Sequence, residues 1–373
     1  PAGQTLSSIT PMGTWNLILE LDDLREHGEY YYLRLVHCEK DWTKSTLFDL
    51  DFLHERNEFP ITEYDYSTDT QLPYIHYWIN LPPVKLPGNY VAVVYRGSDR
   101  EDILLSKRFM VYDNRVSFQS EGRTGPGAAF AQNQQLNFTI RYKDIEVFNP
   151  LQDLSVTVRQ NERWDNLAQS IPPTFVREGF YEMEYQYFDP SRMFRGGNEF
   201  RFFDLRSIRY PGQNVDRVDQ RSEPREAYLF PDRSRDGLAY ALYQDQNGSY
   251  LIDNLDYRDI SYCEYVWVNF TLTTPEIAGD VYFAGAFTQW RLDADTRMTY
   301  DKTKGSYVGS YLIKQGYYDY TYVVKAEGKP ANLFEGSHFQ TNNMYEIFVY
   351  WRPNYQPRAD LLVGYIRLHS QVR

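Results

Sequence analysis

The sequence is short of the residues and patterns that usually announce chemistry. Only two cysteines, Cys38 and Cys263, occur in 373 residues. That excludes a disulfide scaffold and the paired spacing of a zinc site. They read as two separate buried thiols, with one long-range disulfide as the alternative in an oxidising compartment. Positive charge is scarce and dispersed: the formal net charge is −12, and arginine and lysine form no basic stripe. Nucleic acid is therefore excluded as a partner. No apolar run is long enough for a membrane helix, and Pro1 opens no charged and apolar leader. Helical periodicity with capping signals is never sustained beyond about ten residues. No Gly-x-Ser-x-Gly elbow accompanies the six histidines, and no other nucleophile signature does so. His37 and Cys38 are adjacent, but neighbours on a strand point to opposite faces and cannot act as nucleophile and base.

The remaining acids offer little more. Asp22-Asp23 and Asp49-x-Asp51 read as turn-forming and solvated acids, whereas acid–base catalysis at a sugar needs two carboxyls converging across a cleft. Asp245-Gln-Asn247-Gly-Ser249 has a trace of a calcium loop, but its glycine falls early and the distal glutamate is missing, so it reads as a turn. Asn137-Phe-Thr139 and Asn269-Phe-Thr271 match a glycosylation acceptor inside expected strands. The residues thus call for no catalytic group, no metal and no cofactor, and the chain is expected not to be an enzyme.

Aromatic residues are what the sequence has in excess. With 34 tyrosines and 22 phenylalanines, it favours the pleated, half-buried surface of a sheet. Period-two alternation marks strands at Trp15–Leu21, Tyr31–His37, Ile75–Leu81, Tyr90–Tyr95 and Leu104–Tyr112, with Leu86-Pro-Gly-Asn89 as a turn between the third and fourth. Gly122-Arg-Thr-Gly-Pro-Gly127 interrupts this pattern. A second set covers Gln135–Tyr142, Leu154–Gln160, Tyr181–Tyr187, Glu199–Ile208 and Tyr250–Asp253, with residues 209–237 expected as long connecting loops. A third covers Tyr265–Leu272, Val281–Ala284, Tyr307–Ile313, Tyr317–Val324, Glu346–Tyr350 and Leu362–Leu368. The expectation is all-β: three tandem immunoglobulin-like sandwiches at 1–115, 116–261 and 262–373. Tyrosines on both strand faces, as at Tyr30 to Tyr32 and Tyr317 to Tyr322, fit a core on one side and a half-covered surface on the other. A protein-binding surface is the second reading.

Two resemblances add to this. Val281-Tyr-Phe-Ala-Gly-Ala-Phe-Thr-Gln-Trp290 followed by Lys314-Gln-Gly-Tyr-Tyr-Asp-Tyr-Thr-Tyr-Val resembles the early-set glycogen- and starch-binding modules. That resemblance implies a sugar platform in which Trp290 matches the first tryptophan and Asn342 or Asn343 the asparagine. The family's lysine falls on Thr321, and no second tryptophan follows Ala326-Glu-Gly-Lys-Pro. Binding of α-glucans is the alternative function this leaves.

The broader resemblance spans essentially the whole chain. His37-Cys-Glu-Lys-Asp-Trp42, Ile61-Thr-Glu-Tyr-Asp-Tyr-Ser67, Leu72-Pro-Tyr-Ile-His-Tyr77 and Pro87-Gly-Asn-Tyr90 are similar to the plug protein family of the Bacteroidetes type IX secretion system. So are Arg209-Tyr-Pro-Gly212, Leu312-Ile-Lys-Gln-Gly-Tyr-Tyr-Asp-Tyr320, Phe334-Glu-Gly-Ser-His-Phe-Gln-Thr341, Tyr345-Glu-Ile-Phe-Val-Tyr-Trp-Arg352 and Leu362-Val-Gly-Tyr365. The resemblance implies a periplasmic protein, its signal peptide removed, that seals the periplasmic mouth of the large outer-membrane translocon barrel when no substrate is passing. It implies no direct membrane span, and no residue set for the partner interface.

Overall fold

Alternating apolar side chains at Leu33 and Leu35, Val156 and Val158, and Val266 and Val268 give each segment one face to bury, which a pleated strand does with period two. The computed structural model of the chain describes residues 8–370, apart from 15, 26, 123–130, 188 and 190–191. Nearly everything described is strand or loop, and helix is confined to single turns such as Asp49–Phe52 and Pro150–Asp153. The all-β expectation is borne out. Of the expected break at 122–127, Gly122 ends the strand Ser117–Gly122 and the rest lies outside the described residues.

The first unit is built from residues 9–112. A five-stranded sheet runs in the order Ile9–Pro11, Ile103–Tyr112, Gly88–Arg96, Tyr31–Cys38, Phe59–Ile61, and a three-stranded sheet in the order Ile18–Asp23, Ile75–Asn80, Glu63–Tyr66. Between them lie Leu33, Leu35, Phe52, Ile75, Tyr90 and Val94.

The other two units do not follow one another along the chain as expected. Met344–Trp351 pairs antiparallel with Leu154–Gln160, Ile347 opposite Val158, and Leu361–His369 pairs on its far side. These strands complete the middle sandwich, facing the sheet of Ser117–Gly122, Leu136–Arg141, Glu182–Tyr185 and Phe175–Arg177. Its core joins Phe138, Ile140, Met183 and Tyr185 to Val156, Ile347, Val349 and Val363. The boundaries 116–261 and 262–373 are therefore corrected. The middle sandwich is made of two chain segments, and the remaining sandwich is inserted between them.

The inserted unit also takes strands expected elsewhere. Arg201–Asp204 and Tyr250–Ile252 both pair with Gly316–Lys325. Within 209–237, expected as loops, Val215–Asp219 and Glu226–Leu229 form a ladder that joins Tyr265–Thr273 in parallel. Its apolar residues are few, but Val215, Ala227 and Leu229 all point into the core, and that suffices to fix the strands. Arg297–Asp301 bridges Asp280–Ala284 and Ser306–Lys314, so the sheet folds over on itself. Phe270 and Phe283 then stack with centroids 4.4 Å apart.

Candidate functional site

Met344–Trp351 is buried at all eight positions, which requires cover on both faces. One face supplies the middle core, and the other is the floor on which the first unit sits. Phe348, Tyr350 and Leu362 pack there against Met110, with Trp42, Tyr112 and Trp164 at the rim. The Arg108 guanidinium lies 4.9 Å from the Trp42 ring and 5.2 Å from the Trp164 ring. Arg159 sits 4.1 Å over the Trp164 ring and bonds Glu346 at 2.7 Å, with both charges excluded from solvent. Such a pair contributes little net stability but is costly to break. At the edge, Glu39 accepts from the Asp360 backbone N–H at 2.9 Å, the Lys40 N–H donates to Asp360 at 3.1 Å, and Arg352 bridges both acids. Gly88 permits this approach, because a Cβ there would come within 2.6 Å of His37 Nε2 and 3.5 Å of the Asp360 carbonyl. Motifs distant in sequence, His37–Trp42, Pro87–Tyr90 and Tyr345–Arg352, thus meet at one interface.

The first unit also touches the inserted one. Asp22 Oδ1 is 2.6 Å from His76 Nδ1, while its Oδ2 accepts from the Tyr265 hydroxyl and the Lys314 ammonium, each at 2.7 Å. Burial works to raise the Asp22 carboxyl, but His76, Lys314 and Tyr265 together hold it below its usual range. Tyr74 lies under the Lys314 ammonium at 4.1 Å and donates to the Ile260 carbonyl. Glu264 accepts from the Gln71 N–H at 3.0 Å.

The junction of the inserted and middle units, where the chain crosses twice, is the most heavily charged interior. Glu335 accepts from Arg201 at 2.9 Å, Arg235 at 2.6 Å and the Tyr322 N–H at 3.1 Å. Arg201 continues to Asp232, which takes the hydroxyls of Tyr320 and Tyr322. Alongside, Glu199 accepts from the Asn342 N–H and from Tyr240. Asp319, fully buried, receives the N–H groups of Gln246 and Gly248 on Oδ2, while its Oδ1 has no hydrogen-bond partner. Burial raises Asp319 to about 7, with Asp245 adding to the rise. Burial also raises Asp245 to about 7 against the N–H groups of Asn247 and Phe200, with Glu199 adding to it. The loop Asp245–Ser249 is a turn, as expected, and serves as a strap pinned by these acids. No group of three or more His, Cys, Asp or Glu among the described residues is placed to hold a metal.

Trp290 is only 8 % exposed. The Arg163 guanidinium from the middle unit lies 4.2 Å over its ring, Phe200 packs at 5.7 Å, and a Cβ on Gly248 would strike it at 2.6 Å. It seals the junction and presents no ring to a sugar. Asn343 is consumed inside the middle unit, donating to Gln134 and Gly196 and accepting from Asn161. Asn342 anchors Glu199 through its backbone, and Thr321 lies in a ladder opposite Ala284. An open cleft of about 540 Å³ on the inserted unit is lined instead by Asp280, Tyr282, Arg297 and Tyr300. The two cysteines are free and buried in separate units; burial pushes Cys38 up to about 11 and Cys263 up to about 12, so neither is a ready thiolate. His37 is buried with both ring nitrogens unpaired, and burial lowers it to about 4. The sequence reading missed the junction charges. Glu199, Arg201, Asp319 and Glu335 each sit in strand-like or turn-like surroundings, and nothing local reports that they converge.

Comparison with known proteins matches residues 2–113 to the family described as "Type 9 secretion system plug protein 1st domain". The resemblance read from the sequence is borne out over those residues. Among solved structures the chain is similar to the crystal structure of a hypothetical protein from Parabacteroides merdae ATCC 43184. The two are 28% identical, with 97% of this chain and 93% of that one covered and a TM-score of 0.90. No curated protein matches.

Proposed function

We propose that the chain is a non-enzymatic plug that binds and closes the periplasmic opening of the type IX secretion translocon barrel in the outer membrane. The match of residues 2–113 to the plug family's first domain carries this reading. The architecture supports it. Every unit touches both others through polar or aromatic contacts, with Trp42 and Arg108 against Trp164, Asp22 against Lys314, and Arg163 against Trp290. A body closed on itself in this way is stiff, and stiffness is what a pore seal requires; a chain of sandwiches on single linkers would flex. No helix among the described residues is long and apolar enough to cross a membrane, and in this reading the outer-membrane barrel supplies the membrane anchorage. The glucan-binding alternative finds no support at Trp290, whose ring is covered.

The test is a comparison of native outer membranes from cells with and without the gene. The expected result is that the barrel carries this protein, and that deletion raises permeability to large solutes when the barrel's other partners are removed. A barrel that never carries it, with permeability unchanged by deletion, defeats the proposal.

A further inference from the structure

The three-stranded sheet of the first unit has an outer face of unusual composition. In one row across the ladder Glu20 lies opposite Trp78 and Trp78 opposite Glu63; in the next, Asp22 lies opposite His76 and His76 opposite Asp65. Directly opposed residues share a face, so two aromatic rings run down the middle with a carboxylate on each side of both. The rings of His76 and Trp78 are 5.7 Å apart and inclined by 30°. Asp22 is taken by His76, Lys314 and Tyr265. Glu20, Glu63 and Asp65 are exposed and make no ion pair among the described residues, and no described cation lies over Trp78.

The outermost strand of this sheet, Glu63–Tyr66, is exposed at all four positions and pairs on one side only. Its face opposite Glu63 and Asp65 carries Tyr64 and Tyr66, 49 % and 63 % exposed, in edge contact with each other and next to Tyr77. An open edge is a template for another strand. A second copy of this edge is disfavoured, because pairing would set Glu63 and Asp65 against like charges. A basic strand meets the opposite situation. Its cationic side chains fall on the Trp78 face beside the unpaired carboxylates of Glu63 and Asp65, with the Trp78 ring one strand further in, where a ring face attracts a cation, and its alternate apolar residues fall on the tyrosines.

We propose that the Glu63–Tyr66 edge and the face around Trp78 form a docking site for an extended, basic segment of a partner protein, added as a strand with lysine or arginine alternating with apolar or β-branched residues. Main-chain hydrogen bonds supply the binding and the acid–aromatic rows select the charge. The proposal does not depend on which assembly supplies the partner.

The test uses the purified chain and a synthetic peptide about eight residues long, a usual strand length, alternating lysine with threonine. A glutamate–threonine peptide is the control. Saturable binding is expected for the basic peptide alone, weakening as salt rises, with slowed amide exchange at residues 63–66. Reversing the edge charges with Glu63→Lys and Asp65→Lys, at exposed positions whose change leaves the fold intact by circular dichroism, is expected to weaken binding by about tenfold or more. Trp78→Ala is expected to weaken it by about threefold. Equal binding of the acidic peptide, unchanged affinity in the charge-reversed variant, protection elsewhere in the chain, or a self-associating chain that buries this edge would each overturn the proposal.

Discussion

The first and middle sandwiches are built alike but closed differently. The first draws its strands from one stretch, residues 9–112, and its core contacts are made within that stretch. The middle one places Met344–Trp351 and Leu361–His369 in its sheet, after the chain has left to build a whole sandwich and returned. Local closure costs little loop entropy; closure across an inserted unit makes the last strands a condition for the middle core. The two sandwiches should therefore differ sharply in how they respond to damage.

The largest difference is expected from truncation after residue 340. It removes one wall of the middle core and the floor under the first unit, yet leaves the first unit's own core intact. Limited proteolysis read by mass spectrometry should show residues 9–112 surviving as a protected fragment while the middle region is degraded. Equal protection of the middle region would mean that its N-terminal strands close without their distant partners.

Next in size is Glu346→Ala. It leaves the Arg159 guanidinium buried without its acid, at a cost of about 3–5 kcal/mol in chemical denaturation. Removing both charges in a matched apolar pair should restore most of that loss. If the single variant is as stable as the wild type, the pair is solvated and the floor is looser than the structure shows.

Asp22→Ala tests the contact of the first unit with the inserted one, which local closure does not protect. It deprives Tyr265 and Lys314 of their acceptor, at an expected cost of about 1–3 kcal/mol. The change should appear as faster amide exchange at both sides of that contact, with the first core unaffected. Faster exchange within that core instead would place Asp22 in the unit's own stability.

A last test is one of pH, at the inserted junction. Asp245 and Asp319 titrate at about 7 in the folded chain and near 4 when unfolded, the ordinary aspartate value. The folded state therefore keeps protons that the unfolded state releases. Stability falls as pH rises from about 4 to about 7, and the full penalty is present above that. Asp319→Asn should flatten this slope and be more stable than the wild type at about pH 8. An unchanged slope would show that the acids are solvated, and a stability gain from added calcium in the wild type would show that they take a cation.

Most strands were legible because period-two alternation is local. Tyr31–Cys38, Leu154–Gln160 and Gly316–Lys325 lie where the sequence puts them, to within a residue or two. Val215–Asp219 was not legible, since a few apolar residues among arginines and aspartates look like loop until a neighbour gives them a core. At the candidate site the sequence singles out Trp290 but not Arg163, and without Arg163 the tryptophan looks available for sugar.

By itself the sequence determined the class, the absence of catalytic motifs, most of the strand positions and the resemblance of the first unit. Each depends on residues close together in the chain, or on residue types alone. Tertiary structure alone decided that 344–369 belongs with 154–160, that Glu199, Arg201, Asp319 and Glu335 converge, and that Glu20, Glu63 and Asp65 flank one open face. Strand pairing is set by which faces can bury each other, and Met344–Trp351, apolar on both faces but for Glu346, could pair with many strands. Its partner was fixed by having two faces to cover at once, a condition met only between the middle core and the floor of the first unit.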